Sequence, residues 1–410
     1  MTKIADPKLS EEGERNFNWA KSHMKALTSL SEKHAKTKPL EGVRVGVCLH
    51  VTKETSVLID ALLKAGAEVK LSGANPLSTQ DDIAAYLSTR ADVWAWRGES
   101  GREYEWCIKQ VLGTRPDQVV DDGADLHVAA HISRTNGIVG GSEETTTGVV
   151  RLRALEADGR LRYPIIAVND AKTKFMFDNR YGTGQSTLDG ILRATALLIA
   201  GKRTVVVGYG WVGKGVASRA RGMGARVLVV EIDPIKALEA HLDGFDVSSI
   251  QSAAKDGEIF ITATGQKKVI PYSAMEKMKD GAILVNAGHF DVEIDVKTLM
   301  SRAKEVREVR PNVDEVSLRS GKKVYLIGKG RIANLVAAEG HPPEVMQMSF
   351  ANQLMAAIRI HRDHDKMQKK LYGVPPGLED EVARAALQSM GITIGSQTSE
   401  QAEYGKSWKI

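Results

Sequence analysis

A lysine and an aspartate stand four residues apart in the segment KTKFMFDNRYG, at Lys174 and Asp178. The segment reads as helical, so the two side chains are predicted to share one face. A buried lysine beside a carboxylate could handle the proton of a substrate hydroxyl. A surface ion pair would give the same spacing. The spacing alone leaves both interpretations open.

Two acidic pairs are further candidates for chemistry. Asp121 and Asp122 end a predicted strand, and Glu143 and Glu144 precede an amphipathic helix. Asp121 and Asp122 are crowded together with Asp125, and such carboxylates raise one another's pKa, which suits a general base, although helix capping or turn formation also explains such clusters. The residues after Glu144 could cap the helix or clamp a cofactor ribose. They are Thr145, Thr146 and Thr147.

Three histidines, His50, His289 and His341, each follow a strand end or a glycine-rich stretch. One histidine in such a position is usually a satisfied polar residue. Three of them, without the cysteine or acid spacing of a zinc site, indicate proton transfer or orientation of a substrate. The sequence therefore predicts no metal site.

The region 204–233 contains the parts of a dinucleotide-binding unit in the expected order. An apolar strand leads into Gly208, Gly210 and Gly213, a helix that includes Val212 follows, and a second apolar strand ends at Glu231. Such glycines allow a tight turn and close approach to a pyrophosphate, and the acid accepts from ribose hydroxyls. The unit predicts NAD as the cofactor. A glycine-rich turn in an unrelated α/β unit is the alternative.

Short β-rich runs alternate with helical stretches on both sides of this unit. This rhythm predicts an α/β fold with two doubly wound parallel sheets, a substrate domain and a Rossmann NAD domain, joined by two hinges. Ligands collect beyond the carboxyl ends of such strands. The polar residues predicted at that edge of the first sheet are His50, Thr52, Glu54, Asn75, Ser78, Gln80, Asp121, Asp122, Asn169 and Asp170.

The second half of the chain sets the predicted domain limits. The runs EIFITATG and AILVNAGH end near Thr264 with Gly265 and near Asn286 with His289, where nicotinamide and ribose would lie. A long helix after GRIANLVAAEGHP could return the chain to the first domain. We predict a substrate-binding domain at 1–183 and 339–370 and an NAD-binding domain at 184–338. Hinges are placed near 181–184 and 334–340, and a tail at 371–410 is expected to pack on a neighbouring subunit.

Composition narrows the class of protein. The 410 residues are 42% hydrophobic, and 56 basic residues face 51 acidic ones, with the signs mixed along the chain. Nucleic acid is therefore not an expected partner. No stretch reads as a membrane span, and the N-terminus is too charged for a signal peptide. Cys48 and Cys107 make neither a disulfide framework nor a metal site. We predict a cytoplasmic protein.

Several motifs occur together along nearly the whole chain: CLHVTKET, NPLSTQDD, VDDGAD, GSEETTTG, VNDAKTKFMFDNRYGTGQS, GYGWVGKG, EIDPIKAL, NAGHFDVEID and GRIANLVAAEGHP. In these the chain resembles the S-adenosyl-L-homocysteine hydrolase family, and its length, GTGQST segment and SWK ending resemble the archaeal and thermophilic-bacterial branch. The resemblance implies reversible hydrolysis of S-adenosylhomocysteine to adenosine and homocysteine. It implies transient oxidation at the ribose 3′ position, elimination and water addition, one tightly bound NAD per subunit, and a homotetramer.

The resemblance also assigns roles by position. Lys174 and Asp178 match the pair at the 3′-hydroxyl, and Asp122 matches the proposed base at the 4′ carbon. His50 and His289 match residues that assist proton transfer at the 5′ leaving group. The remaining predicted substrate contacts are Thr52 and Glu144 at the nucleoside, Glu54 and His341 at adenine, and Asn75, Ser78 and Gln80. The predicted NAD contacts are Thr145, Thr146, Thr147, Asn179, Gly208, Gly210, Val212, Gly213, Glu231, Lys236, Thr264, Gly265, Asn286, Ala287, Gly288, His289, Asn334 and His341.

The base preference can be argued from hydrogen bonding. Adenine presents an amine donor, which suits the acceptor-only carboxylate of Glu54, whereas hypoxanthine presents a carbonyl at that place. Members of the family that act on the inosine analogue differ from this chain at two positions. They have Glu at the position of Thr52 and Lys at the position of Glu54. The string HVTKE therefore favours adenosine, with S-inosylhomocysteine as the alternative substrate.

The chain departs from the family pattern at Thr183, where many relatives have cysteine, and at Lys236, where many have asparagine. Lys236 could bind the extra phosphate of NADP, but the carboxylate of Glu231 should repel that phosphate, so NAD remains the predicted cofactor. Two other functions fit the dinucleotide unit: a dehydrogenase of the 2-hydroxyacid type, and a catalytically silent NAD-binding regulator.

Overall fold

The computed structural model describes residues 2–408. Its strands are β1 (Arg44–Leu49), β2 (Glu68–Gly73), β3 (Asp92–Trp94), β4 (Gln118–Asp121), β5 (Gly140–Glu143), β6 (Ile165–Ala167), β7 (Arg203–Val207), β8 (Arg226–Val230), β9 (Asp246–Ser248), β10 (Ile259–Thr262), β11 (Ala282–Asn286), β12 (Glu305–Arg310), β13 (Val313–Ser317), β14 (Lys323–Ile327) and β15 (Leu371–Gly373).

The α-helices are α1 (Ser10–His23), α2 (Lys25–Ala35), α3 (Lys53–Lys64), α4 (Asp81–Leu87), α5 (Gly101–Gly113), α6 (Asp125–Ile132), α7 (Thr146–Ala157), α8 (Lys172–Lys174), α9 (Thr183–Thr195), α10 (Trp211–Gly222), α11 (Pro234–Leu242), α12 (Ile250–Asp256), α13 (Tyr272–Met275), α14 (Val296–Arg302), α15 (Ala333–Val336), α16 (Pro343–Asp363), α17 (Pro376–Ser389) and α18 (Ser399–Tyr404). A π-helix, Phe175–Gly182, links α8 to α9. Within residues 2–408, no helix is both long enough and apolar enough to cross a membrane.

The first lobe is built on a parallel sheet. Among the described residues its strand order is β15-β6-β5-β4-β1-β2-β3, and every pairing in it is parallel. β1 and β4 lie side by side, with Cys48 opposite Asp121. The loops after these two strands therefore start at the same edge. The predicted doubly wound sheet is confirmed for this lobe.

The second lobe has the order β12-β13-β14-β11-β10-β7-β8-β9 over the part of the chain that is described. The neighbouring strands β9, β8, β7, β10, β11 and β14 pair in parallel. β13 pairs antiparallel with both β14 and β12. This antiparallel edge was not predicted. Its outer strand β12 has the sequence EVREVR and is exposed at every residue, and such a charged strand protects the edge of a sheet against further pairing.

The long helix α16 returns the chain to the first lobe, as the sequence predicts. It contacts α2, α3 and β5, and its Met348, Phe350 and Leu354 share one hydrophobic core with Val47 of β1 and Leu58 of α3. The core of the second lobe consists of separate clusters on its own sheet. Each lobe thus buries its own apolar residues.

The segment after α16 also joins the first lobe. β15 pairs in parallel with β6, and α17 packs against α2. The sequence assigns these residues to a tail, 371–410, that packs on a neighbouring subunit. α18, near the end of this region, contains no buried residue, and residues 409 and 410 lie outside the described part of the chain.

The π-helix rests directly on the helix that follows the dinucleotide turn. A Cβ atom added at Gly215 of α10 would lie 1.8 Å from the carbonyl oxygen of Arg180, and one added at Gly184 would lie 2.7 Å from the carbonyl carbon of Gly215. These distances are far shorter than any van der Waals contact. The close backbone contact between the two segments therefore requires glycine at position 215.

Candidate active site

Lys174 and Asp178 form a buried ion pair at the start of the π-helix. Lys174 Nζ lies 2.8 Å from Asp178 Oδ2 and 3.8 Å from Glu144 Oε1, and it donates to Asn179 Oδ1 at 2.8 Å. Burial opposes the charge on Lys174, yet Asp178 and Glu144 raise its pKa above the ordinary lysine value. The alternative of a surface ion pair is wrong, because only 4% of each side chain is exposed.

His341 extends this pair across to the second lobe. Its Nδ1 contacts Asp178 Oδ1, and its Nε2 lies 2.7 Å from Asn334 Nδ2 and 3.2 Å from Thr183 Oγ1. Asn334 Nδ2 can donate to Nε2, and Asp178 Oδ1 accepts from Nδ1. Burial alone would raise the pKa of Asp178, but His341 and Lys174 hold it well below its usual range. The resemblance places His341 at adenine, whereas these ring contacts are with Asp178, Asn334 and Thr183.

A second cluster consists of Asp122 between two histidines. Asp122 Oδ2 lies 3.6 Å from His50 Nε2, and its Oδ1 lies 3.5 Å from His289 Nδ1. Ser78 Oγ donates to Asn75 O and therefore accepts from His50 Nδ1 at 2.7 Å, so the neutral ring has no proton on Nε2. Burial lowers the pKa of His50 to about 4, against the effect of Asp122. His50 is therefore neutral at neutral pH.

This cluster joins the two lobes. His50 and Asp122 follow β1 and β4, and His289 follows β11. Neither Asp122 Oδ1 nor either ring nitrogen of His289 has a hydrogen-bond partner within residues 2–408. The donor atoms lie within 4.8 Å of one another, so this group could also hold a metal ion. The absence of a metal from the site stays a prediction.

Glu144 is held by two residues that the sequence did not single out. Ser349 Oγ donates to Glu144 Oε1, and Gln353 Nε2 donates to Oε2 at 2.6 Å. Burial raises the pKa of Glu144 to about 7, while Lys174 lowers it. Ser349 and Gln353 lie four residues apart on α16, so they share one face of that helix. That polar spacing was the available signal.

The acid before it, Glu143, organises the surrounding backbone. Its Oε1 accepts from the backbone N–H of Gly123, at 2.8 Å, and from the N–H and hydroxyl of Thr145, both at 2.9 Å. Thr145 also caps α7, and Thr146 Oγ1 bonds to Asn169 Oδ1 at 3.0 Å. Thr145 therefore caps the helix, the first of the two roles that the sequence allows. Thr147 is half-buried in the same first turn.

The predicted base-recognition residues lie at the start of α3. Thr52 caps this helix through Thr55, and Glu54 is buried. Glu54 Oε1 has no hydrogen-bond partner within the described range, but Lys53 Nζ lies 3.4 Å from it. Gln80 accepts from the backbone N–H of Lys53 at 2.9 Å, and Asn75 accepts from that of Leu77. Glu54 thus presents an acceptor, while Asn75 and Gln80 shape the neighbouring loop.

The dinucleotide turn has the geometry that NAD binding requires. Gly208 adopts φ +101°, and a Cβ at Gly213 would lie 1.9 Å from the carbonyl oxygen of Gly208. Gly210 is the N-cap of α10, and Val212 lies in its first turn. Glu231 accepts from the backbone N–H of Tyr209 at 2.7 Å, at the end of β8 where a ribose would lie. Lys236 Nζ lies 3.8 Å from Asp233.

The nicotinamide end is organised by Glu293, which the sequence pattern did not reveal. Glu293 accepts from the backbone N–H groups of Thr264, at 2.8 Å, and Gly265, at 2.9 Å. Asn286 accepts from Gly288 N and donates to the carbonyls of Phe290 and Gly330, so it shapes the loop that contains Ala287, Gly288 and His289.

Asn334 provides a direct test of fit for the cofactor. Its Oδ1 is buried and has no hydrogen-bond partner within residues 2–408. A buried acceptor of this kind suits the carboxamide N–H₂ of nicotinamide, since buried polar atoms are normally paired. The glycine turn, Glu231 and Asn334 together fit NAD.

Two α/β lobes, a dinucleotide turn in one, and buried acid–base groups between them define an NAD-dependent enzyme that acts on a small molecule. The family model described as S-adenosyl-L-homocysteine hydrolase matches residues 1–137, and that of its NAD binding domain matches residues 179–340. The chain belongs to the S-adenosyl-L-homocysteine hydrolase family.

Full-length relatives agree with this membership. The chain is 56% identical to the adenosylhomocysteinase of Aeropyrum pernix over 411 residues, covering 99% of both chains. It is 55% identical to the adenosylhomocysteinase of Saccharolobus solfataricus and 51% identical to the S-inosyl-L-homocysteine hydrolase of Methanocaldococcus jannaschii, with at least 99% of each chain covered. The solved dipicolinate synthase chain of Bacillus halodurans, at 14% identity, covers 80% of this chain and 99% of its own, and its TM-score of 0.50 supports the fold alone.

Proposed function

We propose that this enzyme catalyses the reversible hydrolysis of S-adenosyl-L-homocysteine to adenosine and L-homocysteine. One observation carries the proposal: the buried Lys174–Asp178 pair and the Asp122 cluster meet between the lobes. The Lys174–Asp178 pair is suited to bind a ribose hydroxyl. The Asp122 cluster is suited to remove a proton from the neighbouring carbon and to assist the leaving group. Bound NAD supplies reversible oxidation at the ribose 3′ carbon, which makes the 4′ hydrogen acidic.

Lys174 is the group proposed to bind the 3′-oxygen. Its raised pKa keeps it an ammonium, which donates to that oxygen and stabilises negative charge on it. Asp178 contacts both Lys174 and His341 and so positions the ammonium, and the hydroxyl proton is proposed to leave through this buried chain of groups. Glu144, held by α16, is proposed to accept from the neighbouring 2′-hydroxyl.

Asp122 is proposed to remove the 4′ proton. Its Oδ1 has no hydrogen-bond partner in the described structure, so it is available to the substrate. Neutral His50 and the ring of His289 lie on either side of it. Once Asp122 holds the 4′ proton, it is proposed to pass this proton through Nε2 of His50 to the departing homocysteine sulfur. The same groups, with His289, then position and deprotonate the water that adds at the 5′ carbon.

The base end is proposed to prefer adenosine. Glu54 offers a buried carboxylate oxygen to the purine amine. S-Inosylhomocysteine is the second candidate, because a relative named for that substrate is 51% identical. The proposed substrate domain at 1–183 and 339–370, NAD domain at 184–338, hinges near 181–184 and 334–340, cytoplasmic location and homotetramer remain predictions.

A thiol-release assay with both nucleoside substrates tests the proposal, on enzyme whose bound nucleotide is extracted and identified. We expect homocysteine release with no net formation of NADH, and faster release from S-adenosylhomocysteine. Stoichiometric NADH formation would favour a 2-hydroxyacid-type dehydrogenase instead. An absence of thiol release from NAD-loaded enzyme would favour a silent regulator.

A further inference from the structure

Lys53 lies between two carboxylates beside the proposed base site. Its Nζ is 3.4 Å from Glu54 Oε1 and 3.1 Å from Glu339 Oε2. The Lys53 side chain is 12% exposed and that of Glu54 is 2% exposed, whereas that of Glu339 is 58% exposed. Lys53 therefore links a buried acid to an acid near the surface.

Lys53 is a counter-charge beside Glu54 and favours its ionised form. Burial raises the pKa of Glu54, and Lys53 is the principal charge that opposes this effect. An ionised carboxylate only accepts hydrogen bonds, whereas a protonated one can also donate. The charge of Glu54 therefore decides whether it suits the amino group of adenine or the carbonyl group of hypoxanthine.

The anchor of Lys53 crosses from one lobe to the other. Glu339 Oε1 lies 3.0 Å from an Nη of Arg193 on α9, and Gln80 Nε2 donates to the carbonyl of Glu339 at 3.3 Å. Arg97 donates to the carbonyl of Val336 at 2.7 Å. The segment that contains Glu339 is thus tied to the first lobe and to α9 at once, which limits the rotamers open to Lys53.

We propose that Lys53 is a specificity-determining positioning residue, which keeps Glu54 ionised and oriented as an acceptor for a 6-amino purine, with Glu339 as its anchor. It acts through Glu54 and need not touch the substrate. The inference rests on the proposed role of Glu54 at the purine base.

The test compares kcat and KM for S-adenosylhomocysteine and S-inosylhomocysteine in NAD-loaded, full-length enzyme. For Lys53→Met we expect kcat/KM for the adenosine substrate to fall about tenfold, the effect of losing about 1.4 kcal/mol. The loss should lie in KM, because base binding is the same before and during the reaction. The inosine substrate should be hydrolysed no more slowly than by the unchanged enzyme.

Matched variants separate positioning from a general loss of structure. Lys53→Arg should restore the selectivity, and Glu339→Gln, at an exposed position, should lower it in the same direction by a smaller factor. Lys64→Met removes another ion pair of α3, with Asp60 at 3.0 Å, and should leave the ratio unchanged. If Lys53→Met does not fold, Glu339→Gln still decides the outcome.

Glu54→Gln distinguishes this inference from the proposed function. If Glu54→Gln loses selectivity while the Lys53 and Glu339 variants keep it, the role of Lys53 is overturned and that of Glu54 stands. If Glu54→Gln also keeps selectivity, both assignments fail. Thiol release by the unchanged enzyme reports separately on the hydrolase activity.

Discussion

Replacing Lys174 by methionine tests the centre of the site, because it keeps an unbranched side chain that is one atom shorter and removes the charge. Lys174 Nζ is 2.8 Å from Asp178 and 3.8 Å from Glu144. Without the ammonium both carboxylates lose a counter-charge, while His341 remains beside Asp178. Breaking a buried ion pair costs about 3–5 kcal/mol. We expect a loss of that size in the free energy of unfolding at high pH.

The loss should shrink as the pH falls. Burial raises the pKa of Glu144 from its ordinary 4.5 to about 7 even with Lys174 present. A carboxyl group whose pKa is higher in the folded than in the unfolded protein stabilises the fold at pH values below its pKa in the unfolded protein. This stabilisation is lost as the pH rises through its pKa in the folded protein. Removing Lys174 raises the pKa of Glu144 in the folded protein further, and each unit of this rise lowers the free energy of unfolding at high pH by about 1.4 kcal/mol. The variant and the unchanged enzyme should therefore differ least near about pH 6 and most near about pH 9.

The assay combines equilibrium unfolding at these two pH values with reduction of bound NAD on addition of adenosine. We expect NAD content to be kept and the reduction rate to fall by about 10²–10⁴, the usual contribution of a positioned acid or base. Lys172→Met, at an exposed position two residues away, is the control and should match the unchanged enzyme. An unaltered reduction rate, or a stability loss independent of pH, would refute the reasoning.

Three further predictions concern the rest of the site. Asp122→Asn should slow exchange of the substrate 4′ hydrogen with deuterated solvent about 10²–10⁴-fold while bound NAD is still reduced by adenosine; exchange at the normal rate, by mass spectrometry, would remove Asp122 as the base. Gly215→Ala should lower the free energy of unfolding, measured with denaturant, by about 1–3 kcal/mol, because its Cβ would overlap the carbonyl of Arg180. Gly222→Ala on the same helix is the control: its Cβ meets no atom within 4 Å, so the loss should be smaller. Equal losses for the two variants would contradict the contact. Glu293→Gln should lower the free energy of unfolding by about 1–3 kcal/mol, since glutamine cannot accept from both backbone N–H groups after β10. It should also speed NAD release, measured by dilution of loaded enzyme. An unchanged rate of release would count against the role of Glu293.

The sequence predicts the parallel strands and the dinucleotide turn well, because apolar runs, glycines and strand-end acids are local signals. It leaves the burial of Lys174 and Asp178 open, since burial depends on α16 packing across them from much later in the chain. It misses Ser349, Gln353 and Glu293 for the same reason: their partners Glu144 and Thr264 are distant in sequence. It misses β12 because an exposed edge strand has no apolar alternation, and it predicts a helix without distinguishing the π form of Phe175–Gly182.

The contact at Gly215 has a mechanical consequence. Since the backbone of the π-helix lies against α10 without an intervening side chain, the distance between the segment that contains Asp178 and the helix after the dinucleotide turn is set by the backbone itself. A side chain inserted at this contact would therefore alter the spacing between the acid–base groups and the cofactor site without touching any reacting group.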